Sequence, residues 1–137
     1  MVERGTYENP KRGRQLLRFD GMRYPDNITP TDIDAFIEFK NKILVFFEAK
    51  LKNKDVPYGQ RLALERLVQN ATQAGKHAIA IIGEHDVEDA QEDVFLKDLR
   101  VREVFHSETQ KWHPPKRPMK AKDVADMYIQ FYYSLEA

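Results

Sequence analysis

The stretch Asp34-Ala-Phe-Ile-Glu-Phe-Lys-Asn-Lys-Ile-Leu-Val-Phe-Phe-Glu-Ala-Lys50 decides the fold of this chain. It reads as two apolar strands, about Ile33 to Phe39 and Ile43 to Leu51, joined by a tight turn. Residues directly opposed in an antiparallel pair share a face of the sheet. A three-residue loop, Lys40-Asn41-Lys42, sets Phe39 against Ile43, Ile37 against Val45 and Ala35 against Phe47, all of them apolar. The other face then pairs Phe36 with Phe46, and Asp34 with Glu48. A two-residue loop would shift the register by one and send the two carboxylates to opposite faces. The apolar pairing favours the odd-length loop, and that register brings Asp34 and Glu48 together.

Glu48 and Lys50 lie two apart, so they project from one face of a strand otherwise made of Ile, Leu, Val and Phe. Charges on so apolar a strand are costly to bury unless something pairs with them. A divalent metal and a phosphate would do so. A structural salt bridge at the strand end is the alternative. Asp32 shares a face with Asp34 and is a second candidate ligand or a solvated strand-end acid. Asp26 follows Pro25 but is trailed by Asn27, Ile28, Thr29 and Pro30, which reads as a turn rather than an inner strand.

Outward from the hairpin, Pro57 precedes a helix of about Gly59 to Ala74, with Leu64, Leu67, Val68 and Ala71 at helical spacing and Gly75 as its stop. His77 to Ile82 is a short buried strand ending at Gly83. The strand–helix–strand order predicts a crossover that lays it parallel to the second hairpin strand. The acidic run 84–93 reads as a loop, another strand falls around Leu99 to Phe105, and Lys111 to Pro118 is a proline-rich basic loop around Trp112. A last helix, about 122–135, carries Val124, Met127, Tyr128, Phe131 and Leu135 on one stripe. Its surplus of aromatics would suit a homodimer interface. Leu16 to Tyr24 closes an N-terminal helix or opens a first short strand. No linker splits the chain, so the expectation is one α/β domain over 1–137 with its core in 16–106.

The 137 residues include 42% hydrophobic and 32% charged side chains, a soluble globular balance. No apolar run approaches the roughly 20 residues that span a bilayer, and the first residues show no apolar signal region, so a cytoplasmic protein without a membrane partner is expected. The absence of cysteine excludes disulfides, thiolate zinc sites and cysteine nucleophiles. His77, His85, His106 and His113 lack metal spacing. The zero net charge argues against a polyanion binder that works by bulk charge, although basic segments flank an acidic one.

An acid-headed strand, a hairpin, a strand ending in Glu48-Ala49-Lys50, then a helix and a further strand resembles the PD-(D/E)xK nuclease superfamily over about residues 31–83. The run Thr-Asp-Ile-Asp-Ala-Phe-Ile-Glu followed by Phe-Phe-Glu-Ala-Lys looks like small phage-encoded members of it. The residue before Asp34 is Ile33, not the proline of the family pattern. The resemblance implies a restriction-endonuclease-like core with a mixed sheet flanked by helices. It implies Asp34, Glu48 and the carbonyl of Ala49 as ligands of Mg²⁺ or Mn²⁺, with Lys50 orienting the attacking water or stabilising charge on phosphorus. Several members carry a glutamine where Gln60 stands, though Gln60 also fits a plain helix start. Tyr58 and Arg61 could reach phosphate or base, Trp112 could stack on bases or cap the core, and Glu8 or Glu3 could add an acid, with Arg14 and Gln15 as phosphate contacts. The implied activity is hydrolysis of DNA phosphodiester bonds, on structured or branched DNA. The alternatives are a non-catalytic nucleic-acid-binding module on the same fold and an unrelated α/β interaction protein.

Overall fold

A computed structural model describes residues 18–136. The element order is β1 (Ala35–Phe39), β2 (Ile43–Leu51), α1 (Tyr58–Gln73), β3 (His77–His85), β4 (Arg100–His106), β5 (Trp112–His113) and α2 (Ala121–Glu136). The strands form one mixed sheet in the order β1-β2-β3-β4-β5, so the fold is α/β with a helix on each face.

The hairpin adopts the expected register. Ala35 pairs with Phe47, Phe36 with Phe46, Ile37 with Val45 and Phe39 with Ile43. Lys40 and Asn41 take left-handed φ values of 50° and 60°, and the Lys42 amide closes on the Phe39 carbonyl at 3.0 Å. Left-handed backbone is unfavourable for a lysine. The turn is braced by the Glu38 carboxylate, which accepts the Asn41 amide at 3.0 Å, and by the Lys76 ammonium, which donates to the Asn41 carbonyl at 2.9 Å. The strand β1 begins at Ala35 rather than Ile33, because the ladder opens where Asp34 turns its carboxylate to the β2 backbone.

The helix α1 starts after Pro57, which supplies no side-chain cap, and buries Leu64, Val68 and Ala71. It ends in a Schellman motif. Gly75 sits at φ 83°, its amide bonds the Thr72 carbonyl, and the Lys76 amide bonds the Ala71 carbonyl. The crossover makes β3 parallel to β2 from Ile43↔His77 to Leu51↔His85. Alternation then sorts the strands. Ile43, Val45, Phe47, Ile79 and Ile81 face α2, whereas Phe46, Ala78 and Ala80 face α1, with Phe105 of β4 on that side too.

Three expectations are corrected. First, β3 does not stop at Gly83 but runs through Glu84 and His85, so the acidic loop starts later. Gly83 suits this place because Leu99, just before β4, presses on it: a Cβ on residue 83 would lie 2.8 Å from the Cβ of Leu99, beside a register shift at Ile82/Gly83. Second, the proline-rich loop contains β5, which pairs Trp112 with Phe105. Third, α2 is rotated from the predicted stripe. It buries Ala121, Ala125, Tyr128 and Tyr132 and leaves Met127, Phe131 and Leu135 exposed. The two alanines let the helix lie close to the sheet. Tyr132 is held inside by stacking on His77 at 4.1 Å between centroids and by donating its hydroxyl proton to Glu108.

The chain divides into two units, 1–32 and 33–137. Within the described part of the first, no strand forms around residues 18–24. Pro25–Asn27 is a 3-10 turn, closed by a hydrogen bond from the Tyr24 amide to the Ile28 carbonyl at 2.8 Å. Asp26 is the turn residue the sequence indicates, at φ 65°. Among the described residues no helix is long and apolar enough to cross a membrane.

Gly83→Ala should destabilise the second unit by about 1–3 kcal/mol, read as a lowered urea midpoint. Adding Leu99→Ala should give only partial relief, because it removes the Cδ1 at 3.1 Å but keeps the Cβ at 2.8 Å.

Candidate active site

Asp34, Glu48, Ala49 and Lys50 meet where β1 ends beside β2. The last rung of that pair is Ala35↔Phe47. One step further, the Asp34 Oδ2 accepts the Ala49 amide at 2.7 Å. The carboxylate therefore replaces the backbone partner that β1 no longer offers, and this fixes it against the residue that follows Glu48. In a strand the N–H and C=O of one residue leave on the same side, so the Ala49 carbonyl also projects past the end of β1, toward Asp34.

Glu48 is only 4% exposed. Its neighbours on the same face include Phe46, and in β3 it is registered with Ile82. A carboxylate in such surroundings needs compensation. The Lys50 Nζ supplies part of it at 3.4 Å from Glu48 Oε1, and the lysine side chain is itself 21% exposed. One charge is nearly dry and the other has access to solvent. A ligand reaching Lys50 therefore approaches from the strand end.

Gln60 stands on the sheet side of the first turn of α1. The crossover runs α1 back along β2, and Leu64 packs with Phe46. One helical turn earlier is about 5.4 Å, and two residues along a strand are about 6.6 Å. This puts Gln60 about level with Glu48. Its Oε1 is buried and accepts no hydrogen bond from the described residues. A buried acceptor left without a donor costs about 1–3 kcal/mol, more than a residue serving only to start a helix needs to incur.

The donor set suits a hard cation: two carboxylates, a backbone carbonyl and an amide oxygen. Among the described residues no three His, Cys, Asp or Glu side chains come together as a ready metal group, so the fit rests on oxygen donors of mixed type. Asp32 is exposed, while Glu3, Glu8, Arg14 and Gln15 lie outside the described residues.

Several other candidates are occupied structurally. The Arg61 guanidinium pairs with Glu103 at 2.8 Å and lies over the Trp112 ring at 4.8 Å. Trp112 packs on Phe105 and donates its indole N–H to Glu65 at 3.0 Å, so it caps the core. His85 accepts the Val87 amide on Nδ1 and forms no chelate with its acidic neighbours, which turn instead to arginines. Glu84, registered with Lys50, accepts from Arg102 Nε at 3.0 Å and Arg100 Nη2 at 3.3 Å, and Arg100 also grips Asp86. This cluster escaped the sequence reading because residues 84–86 look like loop. The alternation Arg100-Val-Arg102 was the available signal. An apolar cavity of about 620 Å³, lined by His106, His113, Met127, Tyr128 and Phe131 among others, lies on the α2 side and shares no residue with the site. There, burial and the neighbouring His113 depress the His106 pKa, and burial lifts the Tyr128 hydroxyl to about 12.

No family model, no curated protein and no solved structure matches this chain.

Partial burial pushes the Glu84 pKa up, but the hydrogen bonds and charges of Arg102 and Arg100 outweigh it and hold the group below its ordinary 4.5. A depressed carboxylate stabilises the fold above its unfolded value and ceases to do so as pH falls through its folded value. Thermal melts should therefore show the wild type losing stability as pH drops below about 4.5. Glu84→Gln should be less stable at neutral pH and lose less on acidification.

Proposed function

We propose that this chain is a divalent-metal-dependent nuclease that hydrolyses DNA phosphodiester bonds, on a restriction-endonuclease-like core of the PD-(D/E)xK type. The observation that carries this reading is the Asp34–Ala49 hydrogen bond. It brings the acid of one strand onto the Glu-x-Lys end of the next, around a nearly dry glutamate. The hairpin, the crossover helix and the parallel strand stand in the order that the resemblance implies.

Asp34, Glu48 and the Ala49 carbonyl would hold Mg²⁺ or Mn²⁺. When bound, such an ion lowers the pKa of water and neutralises charge on the scissile phosphate. Lys50 places a fixed ammonium where negative charge grows on the phosphoryl oxygens, in a setting less screened than bulk water. Gln60 offers its buried oxygen to a water proton or to the lysine, which orients either one. In the reaction a water oxygen bonds to phosphorus, one ester P–O bond breaks, and the departing oxygen takes up a proton. The products are one phosphate end and one hydroxyl end.

The Glu48–Lys50 ion pair supports a second reading, a nucleic-acid-binding module without catalysis, because the pair compensates both charges with no ion. Calorimetric titration with Mn²⁺, together with cleavage assays on plasmid, single-stranded, flapped and four-way-junction DNA, separates the two. Saturable Mn²⁺ binding and cleavage are expected. Glu48→Ala and Lys50→Ala should each cut the rate by about a hundredfold or more. Asp34→Asn keeps an oxygen for the Ala49 amide, so it should fold normally yet bind Mn²⁺ far more weakly. Cleavage untouched by Glu48→Ala and Lys50→Ala would overturn the assignment of the site.

A further inference from the structure

The segment that leaves β2 and enters α1 is held firmly. The Lys52 amide bonds the His85 carbonyl at 2.8 Å, and the Lys54 amide bonds the Leu51 carbonyl at 3.0 Å around Asn53 at φ 66°. The Lys54 carbonyl accepts Arg102 Nη1 at 2.7 Å, Val56 is buried, and Pro57 fixes the entry to the helix. The exposed residues of this frame are two lysines and an aromatic, Lys52, Lys54 and Tyr58, together with Asn53, Asp55 and Pro57. Lys52, Lys54 and Tyr58 make no side-chain hydrogen bond or ring contact among the described residues, although the Lys52 charge, behind the Arg100 hydrogen bond, helps to lower the Asp86 pKa. Tyr58, at 78%, is the most exposed of the large hydrophobic side chains there. Lys52 follows two residues after Lys50, so the segment leaves from the strand end that carries Glu48 and Lys50, while Tyr58 lies about 200° round the helix from Gln60 and faces away from the sheet.

We propose that Lys52–Tyr58 is a nucleic-acid lip in which the Tyr58 ring stacks on an unpaired base while Lys52 and Lys54 contact the flanking phosphates. This rests on the nuclease reading of the adjoining site and goes further, naming DNA with unpaired bases as the substrate class. Both faces of a base inside a duplex are covered by its neighbours, so a protruding aromatic ring finds a partner only where a strand is single or frayed. Two lysines supply the phosphate attraction that stacking lacks. The braced backbone means that little loop order is lost on binding. The other aromatic of basic context, Trp112, is already enclosed between Phe105 and Arg61 and cannot take this role.

The test uses the full chain in Ca²⁺, an oxygen-seeking ion, with a single-stranded oligonucleotide carrying 2-aminopurine and with its blunt duplex. Anisotropy gives affinity and 2-aminopurine quenching reports stacking. The wild type should prefer the single strand and quench the probe. Tyr58→Ala should weaken single-strand binding by about tenfold and abolish quenching, whereas Tyr58→Phe should retain both. Lys52→Ala with Lys54→Ala should lower affinity for any sequence and reduce the salt slope by roughly 1–2. Equal affinity and quenching in wild type and Tyr58→Ala, or no preference for single strand over duplex, would overturn the proposal. The two ideas fail separately. Tyr58-dependent quenching without Glu48-dependent cleavage removes the nuclease and keeps the lip, and Glu48-dependent cleavage indifferent to Tyr58 does the reverse.

Discussion

The register of the β1–β2 hairpin is the constraint on which the rest depends. Side chains alternate along a strand, so a slip of one residue would carry Glu48 and Lys50 to the α2 face and drive Val45 and Phe47 toward α1. Two features hold the register. One is the apolar pairing from Ala35↔Phe47 to Phe39↔Ile43. The other is the left-handed Lys40-Asn41 turn, kept in place by Glu38 and Lys76. The turn lies at the end of the hairpin remote from Asp34, so the charged end is positioned by packing along the whole strand rather than by local charge pairing alone.

From that register follows an uneven electrostatic landscape. The α2 face of the sheet is almost wholly apolar, and its few polar atoms are paired: the Tyr132 hydroxyl with Glu108, and the Tyr128 hydroxyl with Ser107. On the α1 face the apolar cluster of Phe46, Ala80 and Phe105 gives way, at the end of β2 and β3, to Glu48, Lys50, Glu84 and Arg102. The site is thus bounded by hydrocarbon on one side and by ion pairs on the other. Arg102 pairs with Glu84 and also donates to the Lys54 carbonyl, which ties the charged end of the sheet to the loop that opens α1.

The hairpin, β2, the crossover and both ends of α1 were legible in the sequence because each rests on a strong local signal: alternation, a β-branched and aromatic run, proline before the helix, glycine after it. The adjacency of Asp34 to the Glu48-Ala49-Lys50 end was legible through register. What escaped was set by tertiary contact. Gly83 looked like a stop, yet it is a place where the Leu99 side chain occupies the room that a Cβ would fill. Hydropathy placed Met127, Phe131 and Leu135 on the inner stripe of α2. The interior instead chose alanines that allow close approach and tyrosines whose hydroxyls find partners. The bond of Trp112 to Glu65 joins residues 47 apart and has no trace in either local stretch.

The parallel pairing of β2 with β3 has a kinetic side. The hairpin closes a loop of three residues, whereas Ile43 can meet His77 only after the whole helical connection has been gathered in. Closure entropy makes the second event the slower one, since non-local strand pairing is rewarded late. The oxygen donors and the ammonium come from one short span, 34–60, and can be near one another early in folding. The desiccated surroundings that give Glu48 its leverage arrive only when the distant strand docks.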